Sequence, residues 1–192
     1  MNSRMHSIML CNTHRSCRIK LEDRMEVKLE YTHVVHEFEP VYDEHSRILI
    51  LGSFPSIKSR EQQFYYGHPQ NRFWKVTAGV CGETVPETIE EKKSFLLRNH
   101  IAVWDVIESC DIVGSSDSSI KNVIANDMDV ILHVANIRAI YANGDKAYQL
   151  FLKYCKKEGQ PEIYKLPSTS PANAAWNVER LITAWGEAVR NA

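Results

Sequence analysis

The 192-residue chain is 44% hydrophobic and 24% charged, which is the length and composition expected of a single globular domain. We expect no membrane span, because no apolar run approaches the roughly 20 residues that a transmembrane helix needs. With a formal net charge of -1 the whole molecule is not a polycation, which counts against a protein that coats DNA without specificity, but the charge is compatible with an enzyme that binds a few phosphates locally.

The amino-terminal segment differs in composition from the rest of the chain. Residues 1–20 contain arginine and lysine but no acidic residue, and their hydrophobic periodicity is weak. We expect residues 1–25 to be a disordered extension, or the product of an upstream start codon, before a single domain of residues 26–192. An arginine-rich, acid-poor segment is also typical of a mitochondrial presequence, which is the alternative interpretation.

The cysteines are odd in number and scattered, and none of them forms a Cys-x-x-Cys pair. This usage predicts reduced thiols in a cytoplasmic protein, without a disulfide framework and without a zinc or iron–sulfur site. The cysteines are Cys11, Cys17, Cys81, Cys110 and Cys155.

Four short apolar runs predict buried β-strands, at residues 47–52, 101–106, 138–142 and 162–166. Strands that alternate with helices predict a three-layer α/β/α sandwich around a central four-stranded parallel sheet. In such a sheet the functional loops lie at the carboxyl ends of the strands. The loops that follow the four strands should therefore share one edge, and those loops begin after Gly52, Asp105, Gly144 and Leu166.

Helical patterns lie between the predicted strands. The predicted helices are residues 72–78, 87–99, 127–135, 145–157 and 173–190. Asp127 and Asp145 are plausible N-caps, because a short acidic side chain can accept hydrogen bonds from the free N–H groups of a first turn.

The loop after the first strand is dense in aromatic, amide and small residues. A flipped base needs such a pocket, with flat rings to stack on and amides to read its edge. Phe54 is the main stacking candidate, because Pro55 locks it just beyond the strand end, and Tyr65 is a second candidate. Phe73 and Trp74 begin a predicted helix, which favours a place in the core for both.

The loop after the fourth strand runs through residues 166–173 into a helix. Hydroxyls and free backbone N–H groups at a helix start form an anion site, and prolines keep the loop stiff. We expect Ser168, Thr169 and Ser170 to hold DNA phosphates. A simpler interpretation is a helix cap made by Ser170 or Asn173, and both can be true.

Several segments resemble motifs of the uracil-DNA glycosylase superfamily, and they occur in the same order along the chain. Residues 52–56, Gly-Ser-Phe-Pro-Ser, stand at its first motif, and residues 167–171, Pro-Ser-Thr-Ser-Pro, stand at its second. Residues 68–74 are similar to the His-Pro-x-Asn-Arg-Phe-Trp segment of the mismatch-specific uracil and thymine glycosylases. Together with residues 104–106 and 115–120, the set most resembles the hypoxanthine-DNA glycosylase branch. The resemblance implies base-binding roles for Gly52 and Ser53.

The first motif departs from the family pattern at one position. Relatives carry Asp or Asn where this chain has Phe54, and a phenyl ring cannot position a water by hydrogen bonding. The resemblance to the hypoxanthine branch implies a catalytic asparagine just downstream, for which Asn71 is the best candidate, with His68 and Gln70 behind it. Asn71 is also a plausible N-cap of the following helix. Arg72 is expected to contact the DNA backbone.

Asp105 ends the second strand, where uracil-specific relatives present a base-reading asparagine. A carboxylate only accepts hydrogen bonds, so it would favour hypoxanthine, which offers N1–H, over adenine, which offers a lone pair there. Asp105 is therefore a base-binding candidate, although it could instead cap a helix or orient a neighbour. The serine-rich residues 115–119 could contact DNA or could form a turn.

The resemblance implies a base-excision repair enzyme that acts on DNA containing a deaminated base. We expect a monomeric, monofunctional glycosylase that needs no metal and no cofactor, with hypoxanthine as the excised base. Two alternatives remain open at this point. One is a glycosylase for uracil, or for mismatched uracil and thymine. The other is a DNA-binding relative that has lost catalysis, which the missing polar residue of the first motif supports.

Overall fold

The computed structural model describes residues 30–189. The expectations for residues 1–25, and those for Cys11 and Cys17, lie outside the described part of the chain. The strands are β1 (Thr32–Val35), β2 (Ile48–Gly52), β3 (Ile101–Asp105), β4 (Ile107–Ile112), β5 (Lys121–Ala125), β6 (Ala139–Asn143) and β7 (Ile163–Leu166). The helices are α1 (Ile57–Gln62), α2 (Phe73–Cys81), α3 (Ile89–Arg98), α4 (Asp129–Leu132), α5 (Asp145–Tyr154) and α6 (Val178–Val189).

The centre of the molecule is a parallel sheet in the order β3-β2-β6-β7. It consists of the four strands predicted from the apolar runs, so the prediction of a four-stranded parallel sheet in an α/β/α sandwich is confirmed. Every residue of β2 and β3 is buried, as expected for strands covered on both faces. The register pairs Gly52 with Asp105 and Asn143 with Leu166, so the predicted loops begin along one edge.

A second, antiparallel sheet has the order β1-β4-β5 and was not predicted. The chain passes from β3 to β4 through the single residue Val106, whose N–H donates to the oxygen of Gly52. Most residues of β1 and β5 are exposed or only partly buried, so these strands lack the continuous apolar run that marks the central sheet.

The helices begin and end differently from the prediction at several points. α1 was not predicted; it is only six residues long, and Ser56 is its N-cap, whose hydroxyl accepts from the N–H of Ser59. Asp145 as an N-cap is wrong, because Gly144 occupies that position at φ 101° and Asp145 is the first helical residue. The last helix begins at Val178 instead of residue 173, because the preceding residues fold around an arginine described below.

The core lies where the helices cover the central sheet. Phe73, Phe95, Phe151 and Trp185 are fully buried, and α2 packs against α6. The indole N–H of Trp185 donates to the oxygen of Pro167 at 3.0 Å, which ties α6 to the loop after β7. No helix within residues 30–189 is both long enough and apolar enough to cross a bilayer.

Candidate active site

A slot of about 140 Å³ opens at the carboxyl ends of the central strands. A cavity of about 150 Å³ is large enough to hold a benzene-sized ring. The slot is lined by the residues expected to bind a base, which are Gly52, Ser53, Phe54, Tyr65 and Asp105. Asn71, Ser168 and Ser170 line it as well, whereas Arg72 and Thr169 do not.

One wall forms where Gly52 and Asp105 lie side by side on β2 and β3. A Cβ atom on Gly52 would stand 2.1 Å from Oδ1 of Asp105, so only glycine fits beside this carboxylate. The other carboxylate oxygen, Oδ2, lies 3.0 Å from Nε2 of His36, and both side chains are almost fully buried. The histidine therefore fixes one oxygen of the carboxylate, Oδ2, while the other oxygen, Oδ1, faces the backbone of Gly52.

Aromatic rings pack along the slot. Phe54 is 9% exposed, and its ring meets that of His36 edge-on at a centroid distance of 6.4 Å. Tyr65 packs against the same histidine, and its hydroxyl donates to the main-chain oxygen of Glu39 at 3.0 Å. Burial, followed by the charge of Asp105, raises the pKa of Tyr65 far above its ordinary value. Tyr65 is therefore uncharged, like Phe54, and both rings are packed largely against other protein groups.

Tyr66 also lines the slot, although the sequence analysis did not assign it a role. Its ring stacks on Phe73 at a centroid distance of 3.8 Å, and Phe73 and Trp74 are buried as predicted. The Tyr66 hydroxyl is buried and makes no hydrogen bond of normal geometry within the described residues. Burial and then the charge of Asp105 raise its pKa, so the hydroxyl stays protonated and able to donate.

Asn71 stands between the slot and the start of α2. Its Oδ1 accepts hydrogen bonds from the N–H of Phe73 at 3.0 Å and from the hydroxyl of Thr169 at 2.9 Å. Both lone pairs of that oxygen are therefore used. The alternative role of Asn71 as the N-cap of α2 is wrong, because Arg72 occupies the N-cap position and Asn71 lies one residue before it. No hydrogen bond among the described residues uses the Nδ2 group. Asn71 thus offers the slot a donor, while Oδ1 is fixed.

Arg72 binds the protein's own backbone. Its guanidinium donates to the main-chain oxygens of Thr169, Ser170, Asn173 and Trp176. The loop after β7 and the approach to α6 therefore wrap around this one side chain. Four of the five guanidinium N–H groups already donate to the protein, so at most one is left for the expected contact of Arg72 with the DNA backbone.

The loop after β7 keeps its hydroxyls near the slot. Ser168 Oγ accepts from the N–H of Ser170 at 3.2 Å, and Ser170 Oγ accepts from Ala172 at 3.3 Å. Gly144 makes room for this loop, because a Cβ there would stand 2.8 Å from the Cβ of Ser168. Thr169 is fully buried in the same loop, and its hydroxyl donates to Asn71.

The connection between β4 and β5 closes the slot from the opposite side. The hydroxyl of Ser53 donates to Asp117 at 2.9 Å, and Ser115 Oγ accepts from the N–H of Ile57 at 2.9 Å. Desolvation raises the pKa of Asp117, and the hydrogen bond from Ser53 acts in the opposite direction. The serine-rich segment thus forms a short 3-10 helix, Asp117–Ser119, that is joined to the first-motif loop.

Tyr66 and Asn143 line the slot, and His36 holds Asp105 beside it, but none of these three residues was assigned a role from the sequence. Asn143 could have been found, because it is a polar residue at the carboxyl end of β6, where the strand-end rule applies. Tyr66 lies within the aromatic loop but carries no signal that separates it from its neighbours. His36 belongs to the unpredicted part of the fold, and its partner is 69 residues away. His68 and Gln70 do not line the slot; Nδ1 of His68 accepts from the N–H of Gln70.

The fold and the slot define a protein of the uracil DNA glycosylase superfamily. The family model of that description matches residues 39–188, and the chain belongs to this family. Among its relatives is the hypoxanthine DNA glycosylase of Methanosarcina acetivorans, 38% identical over 147 residues that cover 74% of this chain and 90% of that protein.

Two further matches agree with the family. The hypoxanthine DNA glycosylase of Methanosarcina barkeri is 36% identical over 112 residues, which are 57% of this chain and 71% of that protein. A solution NMR structure from Methanosarcina acetivorans that carries the uracil DNA glycosylase name superposes with a TM-score of 0.66 at 35% identity. That match covers 80% of this chain and 95% of the solved chain.

Proposed function

We propose that this chain is a monofunctional DNA glycosylase that removes hypoxanthine from deoxyinosine in DNA and leaves an abasic site. The observation that carries the proposal is the convergence of a free asparagine amide, a stacking ring and a carboxylate in one slot, contributed by Asn71, Phe54 and Asp105. The relatives named above as hypoxanthine DNA glycosylases support the choice of base.

In the proposed reaction the damaged nucleotide swings out of the duplex and its base enters the slot, where it stacks on Phe54. The glycosidic bond stretches towards an oxocarbenium-like sugar and an anionic base. The free Nδ2 of Asn71 donates to the oxygen of the attacking water and places it against the sugar. The water oxygen bonds to the sugar cation, and the proton that the water loses passes to the departed anionic base, so that the products are an abasic sugar and the neutral free base. Asn71 takes no proton, because its Oδ1 is occupied, and positioning and fixed dipoles supply most of the rate.

Selection of the base follows from the direction of the hydrogen bonds. Oδ1 of Asp105 accepts from N1–H of hypoxanthine, whereas adenine presents a lone pair to the same oxygen. An unpaired buried acceptor costs about 1–3 kcal/mol, which amounts to roughly 5- to 150-fold in selectivity. His36 supports this role because it holds Oδ2 and leaves Oδ1 to the base.

The polar loop after β7 is proposed to bind the phosphates that flank the flipped nucleotide. Ser168 and Ser170 carry hydroxyls that line the slot. For Thr169 and Arg72 we propose positioning roles in place of direct phosphate contact, because their polar groups bind other parts of the protein. No lysine among the described residues lines the slot, so the proposal contains no Schiff base and no strand cleavage.

The test is a base-release panel on duplexes that carry a single inosine, uracil or xanthine, with the free base measured by chromatography. We expect release of hypoxanthine to dominate. N71A should lower the rate at least about 100-fold while binding to an abasic-site analogue stays within a few-fold. The matched control is N136A, which removes an exposed asparagine outside the slot.

Each other outcome points to a different function. Dominant release of uracil would overturn the substrate and leave the family unchanged. Tight binding to the abasic analogue without release of any base would identify a DNA-binding relative that has lost catalysis. An N71A variant as active as the wild type would remove Asn71 from the mechanism.

A further inference from the structure

Thr169 is the centre of a hydrogen-bond network beneath Asn71. It is 0% exposed. Its main-chain oxygen accepts from the N–H and the Nε–H of Arg72, both at 3.1 Å. Its N–H donates to Oδ1 of Asn143, and Nδ2 of Asn143 donates back to its hydroxyl, both at 2.9 Å. The same hydroxyl donates to Oδ1 of Asn71 at 2.9 Å.

The N–H of Thr169 fixes the direction of the bonds that lead from Asn143 through the Thr169 hydroxyl to Asn71. The N–H of Thr169 can only donate, so Asn143 must turn its Oδ1 towards it. The amide nitrogen of Asn143 then donates to Oγ1 of Thr169, because an amide NH₂ carries no acceptor. The hydroxyl hydrogen of Thr169 is therefore left for Asn71, whose side chain must present its oxygen.

These bonds decide whether Asn71 directs its oxygen or its nitrogen towards the slot. An asparagine amide exposes either its oxygen or its nitrogen, depending on a half-turn about its last torsion. The N–H of Phe73 and the hydroxyl of Thr169 both require the oxygen, so the nitrogen is left over. Donors and acceptors linked in a chain also polarise one another, which strengthens the last donor.

We propose that Thr169 is a positioning residue that sets the orientation of the Asn71 amide and so holds Nδ2 ready for the attacking water. The inference rests on the catalytic role proposed for Asn71. The hydroxyl of Thr169 is the group that matters. A methyl group in its place removes one of the two hydrogen bonds that Oδ1 of Asn71 accepts. It also leaves Nδ2 of Asn143 without the acceptor to which it donates. A serine keeps the same hydroxyl and should keep the orientation.

The experiment compares T169V, which is isosteric but has no hydroxyl, with T169S, which retains it. Single-turnover release of hypoxanthine is measured with the wild-type protein, with both variants, and with each change in the N71A background. We expect T169V to lower the single-turnover rate constant about 10- to 100-fold and T169S to stay within about 3-fold of the wild type. Binding to an abasic-site analogue should change by less than 3-fold in both.

The N71A background separates positioning from a general structural effect. If Thr169 acts only through Asn71, T169V has no further effect on the residual rate of N71A. Melting temperatures and the amide side-chain NMR signals of Asn71 are recorded for the same proteins. If T169V unfolds at the assay temperature, the assay is repeated on T169A at a temperature where that variant is folded.

The inference and the proposed function fail in different ways. A folded T169V or T169A with the wild-type rate overturns the inference while the base-release panel still stands. Equal loss in T169S and T169V, or an equal loss in the N71A background, shows that Thr169 matters for packing and also overturns it. A wild-type protein that releases no base overturns the proposed function itself.

Discussion

Gly52 is the residue whose identity the site constrains most directly. Oδ1 of Asp105 occupies the position that a side chain at 52 would need, and the Tyr66 hydroxyl lies 3.5 Å from the same point. A methyl group there must displace the carboxylate from the slot or push β2 away from β3. The glycine at the end of the first apolar run is thus explained by the close approach of a carboxylate.

We predict that G52A costs about 1–3 kcal/mol of stability in the wild-type protein, as overpacking of a filled site does. In a D105A background the conflicting atom is absent, and the same substitution should cost less than about 0.5 kcal/mol. Urea unfolding of the four proteins measures the difference. Equal costs in both backgrounds would mean that the carboxylate is not what excludes a side chain at this position.

In the His36–Asp105 pair, the sequence indicated a role for the carboxylate but not for the histidine that binds it. A histidine between exposed segments has no pattern that marks it, and the carboxylate that it holds lies 69 residues further along the chain. Asp105 itself was recognisable, because it stands at the end of a buried strand. The acid was therefore predictable and its orienting partner was not.

At the scale of elements, the start of α6 depends on Arg72. The helical pattern begins at residue 173, but the oxygens of Asn173 and Trp176 accept from the guanidinium, and the backbone bond from Trp176 to Asn173 spans a turn of three residues instead of an α-helical turn. An irregular turn therefore precedes Val178 and presents the serine loop to the slot. Local propensity favours the longer helix, and a contact with a side chain about 100 residues away overrides it.

We predict that R72K is impaired in base release although it keeps the charge. A lysine lacks the planar fork that reaches four carbonyl oxygens, so the variant should lose about 2–3 kcal/mol of stability and at least 10-fold in rate. R180K is the control, because Arg180 is an exposed arginine with a single carbonyl contact. If R72K instead retains the rate and the salt dependence of DNA binding, Arg72 is a phosphate contact, as the sequence first suggested.

The antiparallel sheet is the element that sequence analysis missed altogether. Its strands β1 and β5 are largely exposed, so they do not bury enough apolar surface to show a periodic pattern. Even so, β4 begins one residue after β3, and the segment that joins β4 to β5 reaches Ser53 and Ile57. This sheet thereby holds one side of the slot in place.

At the scale of the whole molecule, the two sheets share one framework. Val41 bridges to Val103 of β3, and the N–H of His36 donates to the oxygen of Glu108 in β4. A continuous set of buried side chains runs from β2 through Val106 and Ile107 into Cys110. The slot lies across the junction of the two sheets, so neither sheet alone forms it.

We predict a single cooperative unfolding transition in urea. Emission from Trp74, Trp104 and Trp185, which are buried on or beside the central sheet, should follow the same curve as far-ultraviolet circular dichroism. An abasic-site duplex at about 100 times its dissociation constant should move both curves together by about 2.7 kcal/mol. Separate midpoints for the two probes would show that the antiparallel sheet unfolds on its own.

The sequence by itself determined the central sheet and the edge at which the site lies. The buried residues of the four central strands leave short apolar runs, and parallel strands must put their carboxyl ends on one side, so Gly52, Asp105 and the serine loop could be placed together from the sequence. The tertiary structure decided which atom each polar residue presents. The amide of Asn71, the carboxylate of Asp105 and the guanidinium of Arg72 are oriented by partners 69 to 104 residues away, and short-range patterns carry no information about contacts at that separation.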